Sequence, residues 1–231
     1  MHVLFVEPRF PANQPEFVRG LHAAGARVTG IGEVPVDALG PVLKSWLYSY
    51  EQVSSVCDEG AMLECVHRIQ AREWVDRLEA TIEAHILPVA KVREAATIPG
   101  TSVKTAFLCR DKPAMKEFLR RHGVATAASE GVATPAEAHA FAARVGYPII
   151  LKPRSGAGAA GTARIGGDAE LEEAIREHGI DRGQSVAAEE FVEGHEGFYD
   201  TLTVGGEVVH DFISHYYPGV LEAMRTRWIT P

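Results

Sequence analysis

Residues 146–165 read G-Y-P-I-I-L-K-P-R-S-G-A-G-A-A-G-T-A-R-I. Tyr147 to Leu151 is an apolar run with the length and residue types of a buried strand. Lys152 stands at its end, and Pro153 is expected to end the strand there. Residues 154–161 contain three glycines, three alanines and one serine, so the loop has almost no side-chain bulk. Thr162 to Ile165 is again extended. The pattern is strand, lysine, small-residue loop, strand. Glycine permits the φ/ψ values and close approach that let a loop aim backbone N–H groups at phosphate oxygens. A lysine at the strand end adds a compact positive charge against the same phosphates. The alternative is an ordinary hairpin connection beside a solvated lysine.

Gly156, Gly158 and Gly161 also spell G-x-G-x-x-G. A dinucleotide fingerprint needs a helix opening directly after the glycines, so that its N-terminus meets the pyrophosphate. T-A-R-I-G-G follows instead, and the next helical pattern begins near Asp168. No Gly-Lys-Ser/Thr closes the loop as a Walker A sequence requires. A glycine-rich flap between two strands fits better.

Around this centre the chain is α/β. Val3 to Val6 is a strand, Asn13 with Glu16 opens a helix that Gly25 stops, and Arg27 to Ile31 is a second strand. This βαβ start predicts a parallel layer. Trp46, Leu47 and Tyr50 read as core, Gln52 to Val56 as a short strand and Ala61 to Arg72 as a helix. Glu79 to Ala96 reads as helical, with Pro88 marking a break or a new first turn. Asp111 caps a helix that ends at Gly123. Val124 to Val132 is extended, and Thr134, Pro135 and Glu137 start the helix leading into the central strand. Asp168 caps a helix using Leu171, Ala174 and Ile175. Ser185 to Val192 is a strand, and Gly205-Gly206 joins Phe198–Val204 to Glu207–Tyr217 as a hairpin.

The net charge of −8 argues against nucleic acid as the main partner. Glu7, Pro8 and Arg9 interrupt the apolar start, so no signal peptide is expected, and no stretch approaches membrane-span length. Cys57, Cys65 and Cys109 include no C-x-x-C, so reduced thiols in a cytoplasm are expected. His67 and His85 have no partner at ligand spacing and read as structural or surface residues.

Three motifs, in order, resemble the ATP-grasp superfamily of carboxylate–amine and carboxylate–thiol ligases, the group that includes biotin carboxylase and D-alanine–D-alanine ligase. They are R-D-K at Arg110 to Lys112, G-Y-P-I-I-L-K-P with its flap, and E-E-F-V-E-G-H-E at Glu189 to Glu196. The resemblance implies a pre-ATP-grasp α/β domain over residues 1–103. It implies a small lobe over 104–190, and an incomplete second lobe of antiparallel strands over 191–231. It further implies ATP as ligand, held through Lys112 and Lys152 at the phosphates under a flap including Ser155, Gly156, Ala157, Gly158 and Gly161. Glu189, Glu190, Phe191 and Val192 would form the strand at the adenine edge, with the Glu189 carbonyl accepting from the amino group and the Val192 N–H donating to the ring. Glu190 is the member of this set whose side chain is expected to be solvated or paired with a lysine. Glu196 would bind the ribose hydroxyls, which are donors suited to a carboxylate.

The implied partners are ATP and a small carboxylate, with a second copy or a completing chain left open and neither nucleic acid nor membrane involved. In this family the magnesium ions sit on two carboxylates and an asparagine beyond residue 217, and the chain shows no such E-x-N pattern. No metal ligand is therefore assigned, and catalytic residues stay unknown. His195, His210 and His215 lie near the expected cleft without an assigned role, and nothing fixes a role for Arg225 or Arg227. The expectation is the front part of a ligase that binds nucleotide and does not turn over alone. A non-catalytic nucleotide-binding module or a subunit completed by another chain is the competing reading.

Overall fold

The computed structural model describes residues 1–154, 161–220 and 222–223, which divide into two compact units, 1–110 and 111–231. The flap residues Ser155, Gly156, Ala157 and Gly158, and the arginines Arg225 and Arg227, lie outside the described residues. So does the strand start expected near the chain's last residues.

The first unit is a four-stranded parallel sheet in the order β3-β2-β1-β4. Its strands are β1 (His2–Val6), β2 (Arg27–Gly32), β3 (Ser49–Gln52) and β4 (Arg77–Glu79). The helices are α1 (Gln14–Ala23), α2 (Pro41–Trp46), α3 (Glu59–Gln70), α4 (Ile86–Ala95) and α5 (Val103–Arg110). Every residue of β1 is buried, as expected of a parallel strand covered on both faces. Alternation sends Leu4, Val6, Ile31 and Leu78 into one cluster with Met62, Val66, Val89 and Val92 of α3 and α4. Phe5 and Val28 point the other way and pack with Val18, Leu39 and Leu43, against which Trp46, Leu47 and Tyr50 also lie.

The sequence reading needs several corrections in this unit. The third strand is Ser49–Gln52 and not Gln52 to Val56. Its backbone continues from the core residues Trp46 and Leu47, and its register is fixed by pairing Thr29 with Ser49. Asn13 precedes α1 without a side-chain cap, because its own backbone is already helical (φ −83°, ψ −13°), and Glu16 pairs with Arg19 instead. The stretch from Glu79 is not one helix. Glu79 ends β4, a short 3-10 turn spans Glu83–His85, and Pro88 lies in the first turn of α4.

The second unit holds an antiparallel sheet in the order β5-β8-β6-β7. It is built from β5 (Ser129–Val132), β6 (Ile149–Pro153), β7 (Ala163–Ile165) and β8 (Val186–Glu190), with helices α6 (Lys112–Arg121), α7 (Pro135–Val145) and α8 (Asp168–Glu177). Period-two alternation divides the sheet into two chemically different faces. Ile149, Leu151, Val186 and Ala188 bury themselves against Phe141 and Ala142 of α7 and Leu171, Ala174 and Ile175 of α8. Side chains of Lys152, Glu189 and Ser129 belong to the opposite face. Thr134 and Glu137 close a reciprocal capping box at the start of α7. Gly167, not Asp168, is the residue before α8, and the Asp168 carboxylate instead accepts from the Tyr147 hydroxyl at 2.8 Å.

After β8, strands β9 (Gly197–Val204) and β10 (Glu207–His215) form a separate two-stranded ribbon. Gly205 and Gly206 turn it with φ values of +60° and +92°, both in the left-handed region that a tight primed turn requires. No helix among the described residues is long and apolar enough to cross a membrane.

Candidate functional site

The polar face of the second sheet is organised by one buried carboxylate. Glu189 lies near the end of β8 with its side chain only 7 % exposed. Its Oε2 accepts from Lys152 Nζ at 2.6 Å and from Lys116 Nζ at 2.9 Å. Lys152 reaches it from β6. The register pairs Lys152 with Ala187, and Glu189 is two residues further along the same face. Lys116 reaches it from α6, one helical turn beyond Lys112, so that i, i+4 spacing puts both lysines on one side of the helix. The second oxygen, Glu189 Oε1, is buried with no hydrogen-bond partner among the described residues, and so is the hydroxyl of Ser129, the cross-strand neighbour of Glu189. A buried acceptor and a buried hydroxyl lacking partners, beside two ammonium groups, mark a place where a polar ligand would be accommodated.

The start of α6 is tied to the entrance of the flap. Asp111 caps the helix through Oδ1, which accepts from Ala114 N–H at 2.9 Å. The same carboxylate receives the Arg154 guanidinium, with Nε to Oδ2 at 3.1 Å and Nη2 to Oδ2 at 2.9 Å. The Lys112 N–H donates to the Arg154 carbonyl at 3.4 Å. Arg154 is the last described residue before the flap, so this fork fixes the Lys112 backbone relative to Lys152 two residues earlier. At the far end of the flap, Gly161 has φ +66°, and a Cβ there would lie 3.2 Å from Pro153 Cγ. Both the left-handed backbone and the close approach call for glycine. β7 follows at Ala163–Ile165, so a strand succeeds the glycines where a dinucleotide fingerprint would place a helix.

The remaining expected residues lie where β8 leaves the sheet. Glu190 turns its side chain to the opposite face, and its Oε2 accepts from Ala128 N–H at 3.0 Å. The Glu190 N–H donates to Ala128 O at 2.9 Å, so its main-chain groups face β5. By antiparallel alternation those of Glu189 face β6, where Ile150 is its register partner. Phe191 lies beneath the Arg164 guanidinium, 4.7 Å from the ring centroid, and Val192 is exposed. Glu196 accepts from Val220 N–H at 2.7 Å through Oε2. Lys116 and Arg154 are absent from the sequence reading. The i, i+4 spacing of Lys112 and Lys116 is the one signal that points to the former.

Residues 111–195 match the family model of the carbamoyl-phosphate synthase L chain ATP-binding domain, a span running from the helix cap through the flap to the end of the Glu189 strand. Over this span the chain is similar to the ATP-binding domains of the ATP-grasp superfamily.

Among curated ATP-grasp relatives, an L-arginine-specific L-amino acid ligase of Bacillus subtilis is 29 % identical over 189 residues, covering 80 % of this chain and 46 % of that protein. The N-terminal section of the carbamoyl phosphate synthase large chain of Methanopyrus kandleri is 35 % identical over 100 residues, 41 % of this chain and 17 % of that one. The ATP-grasp fold is shared with the L-amino acid ligase of Bacillus licheniformis (TM-score 0.72, 22 % identity, 93 % of this chain and 50 % of that chain). It is also shared with an N5-carboxyaminoimidazole synthetase of Staphylococcus aureus complexed with ADP (TM-score 0.69, 17 % identity, 93 % and 53 %). The chain spans about half the length of the two L-amino acid ligases it matches.

Among the described residues no group of three carboxylate, histidine or cysteine side chains comes together. The histidines near the ribbon lie against aromatic rings, His195 and His215 with Tyr217 and His210 with Phe212. In the first unit, His85 has its Nδ1 buried without a partner among the described residues, and burial pushes its pKa down.

Proposed function

We propose that this chain binds ATP on the polar face of its second sheet and supplies the nucleotide-binding part of an ATP-grasp ligase. The observation that carries the reading is the convergence of Lys116 and Lys152 on one buried oxygen at the mouth of a glycine-rich loop. A polyphosphate supplies several anionic oxygens, and the Lys152 ammonium with loop N–H groups neutralises and orients them. Lys112, held at the start of α6 by the Asp111–Arg154 fork, joins them, and Ser155 to Gly161 close over the phosphates.

The adenine edge is assigned to the end of β8. The Glu189 carbonyl belongs to the ladder with β6, so the acceptor for the amino group is the Glu190 carbonyl, which faces the other edge just before β5 begins. Val192, two residues on, presents its N–H on the same edge to a ring nitrogen. Phe191, braced by Arg164, covers the site, and Glu196 receives the ribose hydroxyls.

In the full reaction a substrate carboxylate oxygen attacks the γ-phosphorus of ATP and ADP leaves, forming an acyl phosphate. An amine or thiol then attacks the acyl carbon, loses its proton and expels phosphate. The described residues contribute binding, orientation and charge neutralisation to the first step. We assign them no turnover of their own, because the groups that would hold magnesium are not among them.

Calorimetric titration of ATP with magnesium into the chain and its Lys152→Ala variant tests the reading. Binding at least about tenfold weaker in the variant, roughly 1.4 kcal/mol, is expected. Equal affinity in the two proteins, or no binding to a folded wild-type chain, would refute it.

A further inference from the structure

We propose that Glu189 is the resident counter-ion of the phosphate-binding lysines, and that Lys116 is the positioning residue that frees Lys152 for the nucleotide. The inference rests on the nucleotide reading above and adds a division of labour within it.

Two ammonium groups share a single carboxylate oxygen, at 2.9 Å from Lys116 and 2.6 Å from Lys152, while Oε1 has no partner among the described residues. The three side chains are 15 %, 21 % and 7 % exposed for Lys116, Lys152 and Glu189, so none is freely solvated. One buried anion needs one cation. The cluster holds two, and its net charge is +1. The excess cation is what an incoming phosphate can recruit.

Position decides which lysine moves. Lys116 is in the second turn of α6, and its backbone is fixed by the helix and its Asp111 cap. Lys152 precedes the last residue of β6 and leads straight into the flap. When Lys152 turns to a phosphate, Lys116 remains on Glu189 and the buried carboxylate is never left bare. Without Lys116, Lys152 would be the sole partner of a desolvated anion, and withdrawing it would expose the full desolvation penalty of that charge. Lys152 would then be locked onto Glu189 and withheld from the nucleotide.

The test compares ATP with adenosine, since only the former has phosphates. In equilibrium binding to the 231-residue chain, Lys116→Met is expected to weaken ATP about tenfold or more while leaving adenosine within about twofold. Lys116→Arg, which retains the charge, should restore most of the ATP affinity. In the Glu189→Gln background the anion is gone, and adding Lys116→Met should then cost ATP affinity little. That double variant keeps the question open to experiment if Lys116→Met alone folds poorly. Equal loss of ATP and adenosine in Lys116→Met, unchanged ATP affinity, or an undiminished loss in the Glu189→Gln background would overturn the proposal. A wild-type chain that binds neither ligand would end the nucleotide reading itself, whereas wild-type binding with an indifferent Lys116→Met would end only this inference.

Discussion

Asp111 does two separable things, and substitution can take them apart. Its Oδ1 caps α6 through the Ala114 N–H, and the whole carboxylate holds the Arg154 guanidinium. Asp111→Asn keeps an acceptor for the cap and removes the charge. Asp111→Ala removes both. A lost cap costs about 1 kcal/mol. The ion pair is charge-assisted and bidentate, but Arg154 is 38 % exposed and Asp111 14 %, so solvent screening holds its contribution to about 1 kcal/mol. Asparagine should therefore cost about 1 kcal/mol and alanine about 2. Native-state hydrogen exchange reads this locally, because the Ala114 and Met115 amides report the opening of α6. Their protection should fall about fivefold in Asp111→Asn and about thirtyfold in Asp111→Ala, with the amides of β1 as an unaffected reference. Adding Arg154→Ala to Asp111→Asn should change little further, since the pair is already broken. Equal losses for asparagine and alanine, or unchanged protection in Asp111→Ala, would refute the assignment of a cap and an ion pair to one side chain.

Gly161→Ala forces a Cβ into a left-handed residue (φ +66°) and against Pro153, and should lower stability by about 1 kcal/mol in thermal denaturation. It should also weaken ATP more than adenosine, by displacing the end of the flap. In the first unit, burial above all, with Glu7 and Glu33 adding to it, pushes the Tyr50 hydroxyl up to about 12 from the ordinary 10. The folded state therefore holds that proton where the unfolded chain has released it. The resulting stability is complete below pH 10 and is lost as pH rises from 10 through 12. Tyr50→Phe should flatten this alkaline decline in urea titrations, while removing the hydroxyl's bond to the Val34 carbonyl. An alkaline limb identical to wild type would contradict the cause given.

The second sheet is legible in the sequence because its strands alternate over a strong apolar core. Ile149 and Leu151 declare the buried face, so Lys152 must close the other, and the glycines mark the loop, whereas Pro153, expected to end the strand, is its last residue and pairs with Val186. The capping residues Asp111 and Thr134 declare their helices equally well. The first unit is harder to read. β3 and β4 are short, and their S-Y-E-Q and R-L-E sequences lack any apolar run, so pairing with buried neighbours makes them strands. Asn13 and Asp168 show the limit of capping signals. Both have the right side chain, but the backbone has already entered the helix, or the carboxylate is engaged by Tyr147. At the site, Lys116 is one of two lysines spaced i, i+4 in an amphipathic helix, and only the packing of α6 against the sheet reveals that it shares an anion with Lys152. Which neighbour strand the main-chain groups of Glu189 and Glu190 face likewise depends on the register, and no sequence pattern carries that.

The central claim is that one face of the second sheet holds a nucleotide, and amide chemical-shift mapping during an ADP titration tests it most directly. The account predicts shifts concentrated at Lys112, Lys152, Gly161 and Glu190 to Val192, with the strands of the first unit unmoved. Saturable shifts confined to the first unit, or a folded chain whose spectrum does not respond to ADP, would contradict it.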